Sequence, residues 1–492
     1  MHGAKRFSEG LRITLTERNL CILVHSLFGA WMLSFLFEGQ ILYALMRTYQ
    51  VSLKAMVFGG IAAHFVGLCC GWLFLRTKSD AKRLYLISYP IFIATSAIFF
   101  FPPSHLWTVA VIISSLLAGI CVAAWGFYLK SSTPRRERIK AIADMLILSN
   151  VLMLTLNSVA IHLTPQHGLT LAMLLLVIAI VLAYRLPEND TDASAMDSET
   201  QENSTGTLRL LAFMYLFIAI ITINSGLMYG VTSSAFAHLE WLMSWYWAVP
   251  YIVAIAIMRN LPRTANRTYI LYTAIAMMGL SFIAFAIVKP SALGYLLVNT
   301  LMLGAFGIFD LFWWSIFGEM LDLHSNPAKI LGVGLSANVL GVLAGGFVGS
   351  ILFSAELQSL QTTLLALAVV CVTSALLPPL HKHLSVLLQD HIFLTTYSAE
   401  AINSHATPGQ PAPGQPTPDQ PAPAFTGLSN RESEVAARLL QGKTYRMIAS
   451  ELCVSENTVK YFVKNIYAKY GVQSRGQFVA TVLAQETDGR SS

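Results

Sequence analysis

Lys460 and Lys464 stand four residues apart in a segment where Val459, Val463 and Ile466 recur at helical spacing on the other side. A helix patterned that way docks its apolar side on a scaffold and turns its basic side to phosphates and base edges in a major groove. A merely solvated lysine face accounts for the same spacing. A second set of candidates sits inside apolar runs: Glu38, His64, Asp144, Asn150, Asn157, Asn224, Asn299, Asp310 and Asn338. Such side chains are costly against lipid, so they turn toward a bundle interior or a cavity. There they bind a ligand or ion, or they only join neighbouring helices by hydrogen bonds. Asn150 and Asn157, seven apart, share one helix face. Asp144 lies near a helix end, where pairing with loop arginines is the leading account, and His64 reads as structural. The ligand-binding candidates are therefore Glu38, Asn150, Asn157, Asn224, Asp310 and Asn338. Trp241, Trp245 and Trp247 read as an interfacial belt, with an aromatic ligand wall as the alternative.

Other chemistry finds no support. No phosphate-binding glycine loop, dinucleotide glycine pattern, nucleophile elbow or metal cluster is legible, so no enzyme activity, catalytic residue, metal or cofactor is expected. The six cysteines, Cys21, Cys69, Cys70, Cys121, Cys371 and Cys453, form no disulfide framework or metal-ligand spacing.

The elements that must position these residues follow from composition. Of 492 residues, 55% are hydrophobic and 12% charged, about half the charged share of a soluble domain. Apolar runs long enough to cross a bilayer number about twelve, near 20–43, 55–75, 84–101, 106–129, 141–163, 168–186, 208–231, 240–258, 268–288, 292–317, 329–353 and 361–380. The net charge of +6 gives no chain-wide polybasic character. Basic residues collect instead at Lys5, Arg6, Arg12 and Arg18, at Arg76, Lys78, Lys82 and Arg83, at Lys130, Arg135, Arg136, Arg138 and Lys140, and at Arg259, Arg263 and Arg267. Alternate loops hold little beyond Arg47, Lys54 and Lys289, so the positive-inside rule puts both termini in the cytoplasm. Spans three, six, nine and twelve carry no ionisable or amide side chain in their cores, which is what a peripheral helix in each three-helix repeat would show. Gly341, Gly345 and Gly349 form a double GxxxG stripe in the eleventh span, a face for close packing.

The fold class expected is all-α: a transmembrane bundle of twelve helices in two halves plus a small four-helix domain. Its boundaries read as residues 1–186 for the first half, 187–207 for an acidic connector, 208–380 for the second half, 381–405 for a juxtamembrane helix, 406–426 for a Pro-rich linker and 427–492 for the C-terminal domain. The linker tract PGQPAPGQPTPDQPAPA cannot pack a core and spans about 50 Å at roughly 3.1 Å per residue. In the C-terminal domain a capping box at Ser429 to Glu432 opens a helix that Gly442 stops, and a second helix runs from Thr444 to Leu452. Ser455 caps a third that Gly471 stops, and a box at Ser474 to Gln477 opens a fourth.

Leu428-Ser429-Asn430-Arg431-Glu432, Ile448-Ala449, Val454-Ser455-Glu456-Asn457-Thr458-Val459-Lys460 and Gly471-Val472-Gln473-Ser474-Arg475 occur in order and at the spacing of the LuxR-type helix-turn-helix family, which this segment resembles. The resemblance implies groove contacts from Lys460, Tyr461 and Lys464, a phosphate contact from Thr458, and a dimer contact through the fourth helix. Lys469 and Arg446 are added as further basic DNA-binding candidates. Phe462 stands where the family usually has His, Cys453 where Gly is common and Tyr470 where Leu is usual. The membrane part resembles the major facilitator superfamily by its six-plus-six architecture. The loop GWLFLRTKSDAKR departs from that family's transporters, with no Asp at the usual offset from Gly71. The chain is similar overall to regulators that fuse the two parts, which implies a membrane-bound one-component transcriptional regulator. Its partners would be promoter DNA bound as a homodimer, a small-molecule ligand, the lipid bilayer and, for an activator, RNA polymerase. The alternative is a major-facilitator secondary transporter with a self-regulatory DNA-binding tail.

Overall fold

Side-chain caps fix where several long helices begin. In this computed structural model Thr16, Thr77, Ser104, Thr164 and Ser291 each accept a backbone N–H of the first turn. The structure describes residues 16–36, 39–50, 54–188, 204–228, 235–261, 267–354, 359–387, 428, 430–452, 456–472, 475, 477–479 and 481–482. The connector from residue 189 to 203, the linker, Glu38 and all but the first seven residues of the expected juxtamembrane helix lie outside them.

Described residues are helical or irregular, with no strand among them. In chain order the helices are α1 Glu17–Trp31, α2 Gln40–Thr48, α3 Lys54–Cys70, α4 Lys78–Ala97, α5 His105–Ser132, α6 Arg138–His162 and α7 Pro165–Tyr184. Then follow α8 Ser204–Leu227, α9 Glu240–Tyr246, α10 Val249–Asn260, α11 Arg267–Ile287, α12 Ala292–Met320, α13 Pro327–Ser354 and α14 Ser359–Leu387. The C-terminal helices are α15 Asn430–Leu440, α16 Tyr445–Glu451 and α17 Glu456–Tyr470. Among the described residues eleven helical stretches are long and apolar enough to cross a membrane, and Leu211–Leu227 is a shorter apolar helix beside them. The first stretch is broken: α1 passes into a π turn at Met32–Leu36, and α2 starts after Gly39. A Cβ on Gly39 would overlap the Ser34 carbonyl, so this close approach at the break requires glycine.

The chain divides into two compact units, Met1–Ala406 and Thr407–Ser492. The first is a multi-pass membrane bundle. Its core is rich in aromatic rings, with Phe28, Trp31 and Phe92 stacked between α1 and α4 and the Trp31 indole donating to Ser96 Oγ at 3.0 Å. α8 and α13 approach backbone to backbone: Cβ atoms on Gly341 and Gly345 would run into the Ala219 and Ile223 carbonyls. Outward faces of α4, α7, α11 and α14 are apolar, as at Ile87, Val177, Leu280 and Leu364, which suits a hydrocarbon surrounding.

The second unit is built on Val435, Ala436, Leu439, Ile448, Val459, Val463, Ile466, Phe478 and Val482, all buried. Gly442 and Gly471 end α15 and α17 at φ of +79° and +65°, where a side chain would be strained.

Candidate functional site

Two sites emerge, one in each unit. In the C-terminal unit the Thr444 hydroxyl accepts the Met447 N–H and starts α16, and α17 follows it as a helix-turn-helix. Val459, Val463 and Ile466 turn inward, which leaves Lys460, Tyr461 and Lys464 exposed on the outer side of α17, with Tyr461 at 63%. Thr458, near the start of the same helix, is half-buried. Phe462, the residue in place of His, packs partly buried against the domain core beside the Tyr461 ring. Lys469 is placed differently from the other candidates: nine residues beyond Lys460, it faces the opposite side of α17 and donates to Glu432 Oε2 at 2.7 Å. Arg446 lies on α16, and its side chain is outside what the structure describes. Arg475 donates to the Leu439 carbonyl and so ties the start of the fourth helix to the end of α15.

The bundle holds a partly open cavity of about 310 Å³. Asn150 and Asn157 from α6, Asp310 from α12 and Asn338 from α13 line it together. Asn224 does not. It is buried between α8 and α11 with its amide on Met278 Sδ at 3.2 Å, while the next residue, Ser225, reaches the cavity. Lining residues come from α1 to α3, α5, α6, α8, α10, α12 and α13 and from the turn before α10; among the described residues α4, α7, α11 and α14 contribute none. The third-helix gap in the polar pattern thus coincides with the helices that stand outside the cavity.

Several lining residues were not singled out as ligands from sequence: His25, Gln40, His64, Ser149, Trp247, Tyr251 and Trp314. His25 stacks on Trp125 at 4.7 Å, and His64 Nδ1 lies 3.1 Å from the Ser115 carbonyl. Tyr251 donates to Asp310 Oδ2 at 2.7 Å between α10 and α12. Tyr251, four residues beyond Trp247 on an apolar helix, carries no sequence signal beyond its hydroxyl. Trp247 is a cavity wall, whereas Trp241 and Trp245 are 57% and 47% exposed as a belt would be.

One end of the bundle is closed by ions. Arg138, buried at the start of α6, donates from both Nη atoms to Asp322 at 2.8 and 2.9 Å and also to the Gly318 carbonyl. Arg135 reaches Glu319 at 3.3 Å, and Lys130 the His324 carbonyl at the same distance. Asp144 pairs with Arg259 at the end of α10 and with Arg18 at the start of α1. Asn326 Nδ2 donates to the carbonyls of Trp72 and Leu75, and Lys329 lies over the Trp72 ring. These contacts join helices that precede residues 189–203 to helices that follow them. His324 is held below the ordinary imidazole range by burial and by Lys329 and Lys130, and its Nδ1 accepts the Asn326 N–H. Asp80 accepts the N–H groups of Arg76 and Thr77 and completes, with Thr77, the capping box that opens α4. Among the described residues no group of three or more His, Cys, Asp or Glu is placed to hold a metal.

Residues 426–482 match the family described as bacterial regulatory proteins, luxR family. The spore germination protein GerE of Bacillus subtilis is 46% identical over 56 residues, 11% of this chain and 76% of GerE. The chain belongs to the LuxR family of bacterial regulatory proteins. A probable transcriptional regulatory protein of Hyphomicrobium methylovorum, SgaR, is 47% identical over 53 residues, which are 11% of this chain and 25% of its own length. The bundle has the major facilitator fold. A bacterial homologue of the iron transporter ferroportin in its outward-facing state superposes with a TM-score of 0.56 at 15% identity, covering 75% of this chain and 99% of that one. The human organic anion transporter TETRAN gives 0.54 at 12% identity, covering 73% and 98%.

Proposed function

We propose that this LuxR-family chain is a membrane-bound one-component transcriptional regulator of the bacterial cell membrane, with both termini cytoplasmic. The bundle binds a small molecule in its central cavity, and the C-terminal unit binds promoter DNA as a dimer through Lys460, Tyr461 and Lys464. The observation that carries this reading is the coexistence in one chain of a LuxR-family domain with an exposed basic helix face and a bundle whose polar side chains converge on one cavity. A ligand that binds one packing of the bundle better than another shifts its population; moving it from 1:99 to 99:1 takes about 10⁴-fold differential affinity. The ion pairs at the closed end, above all Arg138 with Asp322, are the contacts such a shift would break or form. Holding two DNA-binding units in one membrane dimer raises their effective concentration to about the mM range, so weak single domains still occupy a palindromic site. No enzymatic step is part of this account.

Genome-wide occupancy in the native host tests it. Discrete promoter peaks for the unmodified chain that vanish in the Lys460→Ala, Lys464→Ala double variant are expected; absence of peaks under every growth condition contradicts regulation. The second reading, a secondary transporter with a self-regulatory tail, is favoured by the ion pairs that join the two halves at one end of the bundle, contacts that alternating access would break and re-form. Substrate accumulation in vesicles that Asp310→Asn abolishes would support it, and saturable binding without flux would exclude it.

A further inference from the structure

We propose that the cavity takes a small organic cation, an alkylammonium or arylalkylammonium, with its nitrogen at Asp310; this deepens the reading of the bundle as a small-molecule sensor and rests on it. Among the described lining residues Asp310 is the one carboxyl, and no Lys or Arg faces it. An ionisable group at that depth is expensive unless it meets an opposite charge. Within the protein Asp310 meets a hydroxyl, Tyr251, at 2.7 Å, and a carboxylate has acceptor capacity well beyond one such bond. Two further polar atoms await a partner. Asn157 Oδ1 and His25 Nδ1 are buried without a hydrogen bond among the described residues, on residues 3% and 4% exposed that line the same cavity.

An ammonium carries donors and no acceptor, which matches a wall that offers a carboxylate and an amide oxygen. An anion would meet the carboxylate with no cation to offset it. Trp247 and Trp314 also line the cavity, and indole rings attract a cation and pack an apolar body. A volume of about 310 Å³ is at the small end of ligand pockets. The ligand therefore has one charged head and a short apolar tail. A neutral ligand or a purely structural Asp310 to Tyr251 bond would give no discrimination by charge.

The test uses the full chain in lipid nanodiscs and three probes of one shape, phenylbutylamine, phenylbutanol and phenylbutyrate, titrated by calorimetry. The expected order is amine tightest, at least tenfold over the alcohol, about 1.4 kcal/mol, with the carboxylate weakest. Asp310→Asn should erase the preference while leaving the alcohol's affinity within about twofold. The order among probes on the unmodified chain decides the matter even if the variant fails to fold. Equal or tighter binding of the carboxylate, no saturable binding of the amine, or a preference that survives Asp310→Asn overturns the proposal. Promoter affinity measured in the same nanodiscs separates the two claims. An amine preference with no change in DNA binding upholds the ligand class and contradicts the sensor reading. A promoter response to a non-cationic compound, without amine preference, upholds the sensor and overturns the ligand class.

Discussion

Each lysine that meets a phosphate releases counterions, so its removal flattens the salt dependence of binding by about one in the log–log slope. Replacing Lys460 and Lys464, exposed on α17, by Ala should therefore lower promoter affinity and reduce that slope by about two, as read by fluorescence anisotropy across a salt series. Lys469→Ala should leave the slope unchanged and instead cost the domain about 1 kcal/mol in urea unfolding, because Glu432, with a side chain 7% exposed, loses a charged hydrogen bond. The two outcomes follow from helical phase. Lys460 and Lys464 were legible as one basic face; Lys469, further along the same helix, was read as part of that face, although nine residues turn a helix through two and a half revolutions and carry it to the other side. Glu451 sets a pH dependence in the same unit. Hydrogen bonds from Lys443 and Arg438 hold its carboxyl below the usual value of 4.5, so it takes up a proton less readily folded than unfolded. Its stabilisation is present above the unfolded carboxylate range and is lost as pH falls through the depressed value. Urea midpoints of the fragment 426–482 should fall more steeply on acidification for the unmodified sequence than for Glu451→Gln.

At the scale of elements, glycine decides how closely α8 and α13 lie. Gly345→Val would drive a branched side chain into the Ile223 carbonyl and the Gly226 backbone, and should destabilise the bundle by at least the 1–3 kcal/mol of ordinary overpacking. Gly279→Ala, whose Cβ would meet Leu367 and Val370 at an ordinary 3.6 Å, should melt within a degree or two of the parent in detergent. The stripe was visible as a GxxxG spacing, yet its partner helix was not, because spacing along one helix says nothing about which neighbour carries the matching flat face. The outer helices were legible for the opposite reason. Lipid forbids polar side chains on them, so their absence from spans three, six, nine and twelve fixed their place before any contact was seen. The break in the first span had no comparable signal: Gly39 is one glycine among many, and only the Ser34 carbonyl against its Cα makes it indispensable.

For the whole molecule, sequence carried the division of labour and structure supplied the convergence. Asn150, Asn157, Asp310 and Asn338 were separate hypotheses on three helices until the fold brought them to one cavity, and Tyr251 and His25 entered only there. Ion pairs between Arg138 and Asp322 or Arg135 and Glu319 could not be read from residues 184 apart in sequence. They offer a way to perturb the bundle without knowing its ligand. Asp322→Asn removes the charge opposite Arg138 while leaving the Gly318 carbonyl as a partner, and so should weaken the closed packing. The decisive measurement is promoter affinity of the full chain in nanodiscs, unmodified against Asp322→Asn, with the fragment 426–482 as reference and a cysteine-accessibility assay at the closed end confirming that the packing has shifted. We expect the variant to change promoter affinity at least fivefold relative to the parent chain. Identical affinities, with the closed end demonstrably opened, would contradict coupling between bundle and DNA-binding unit.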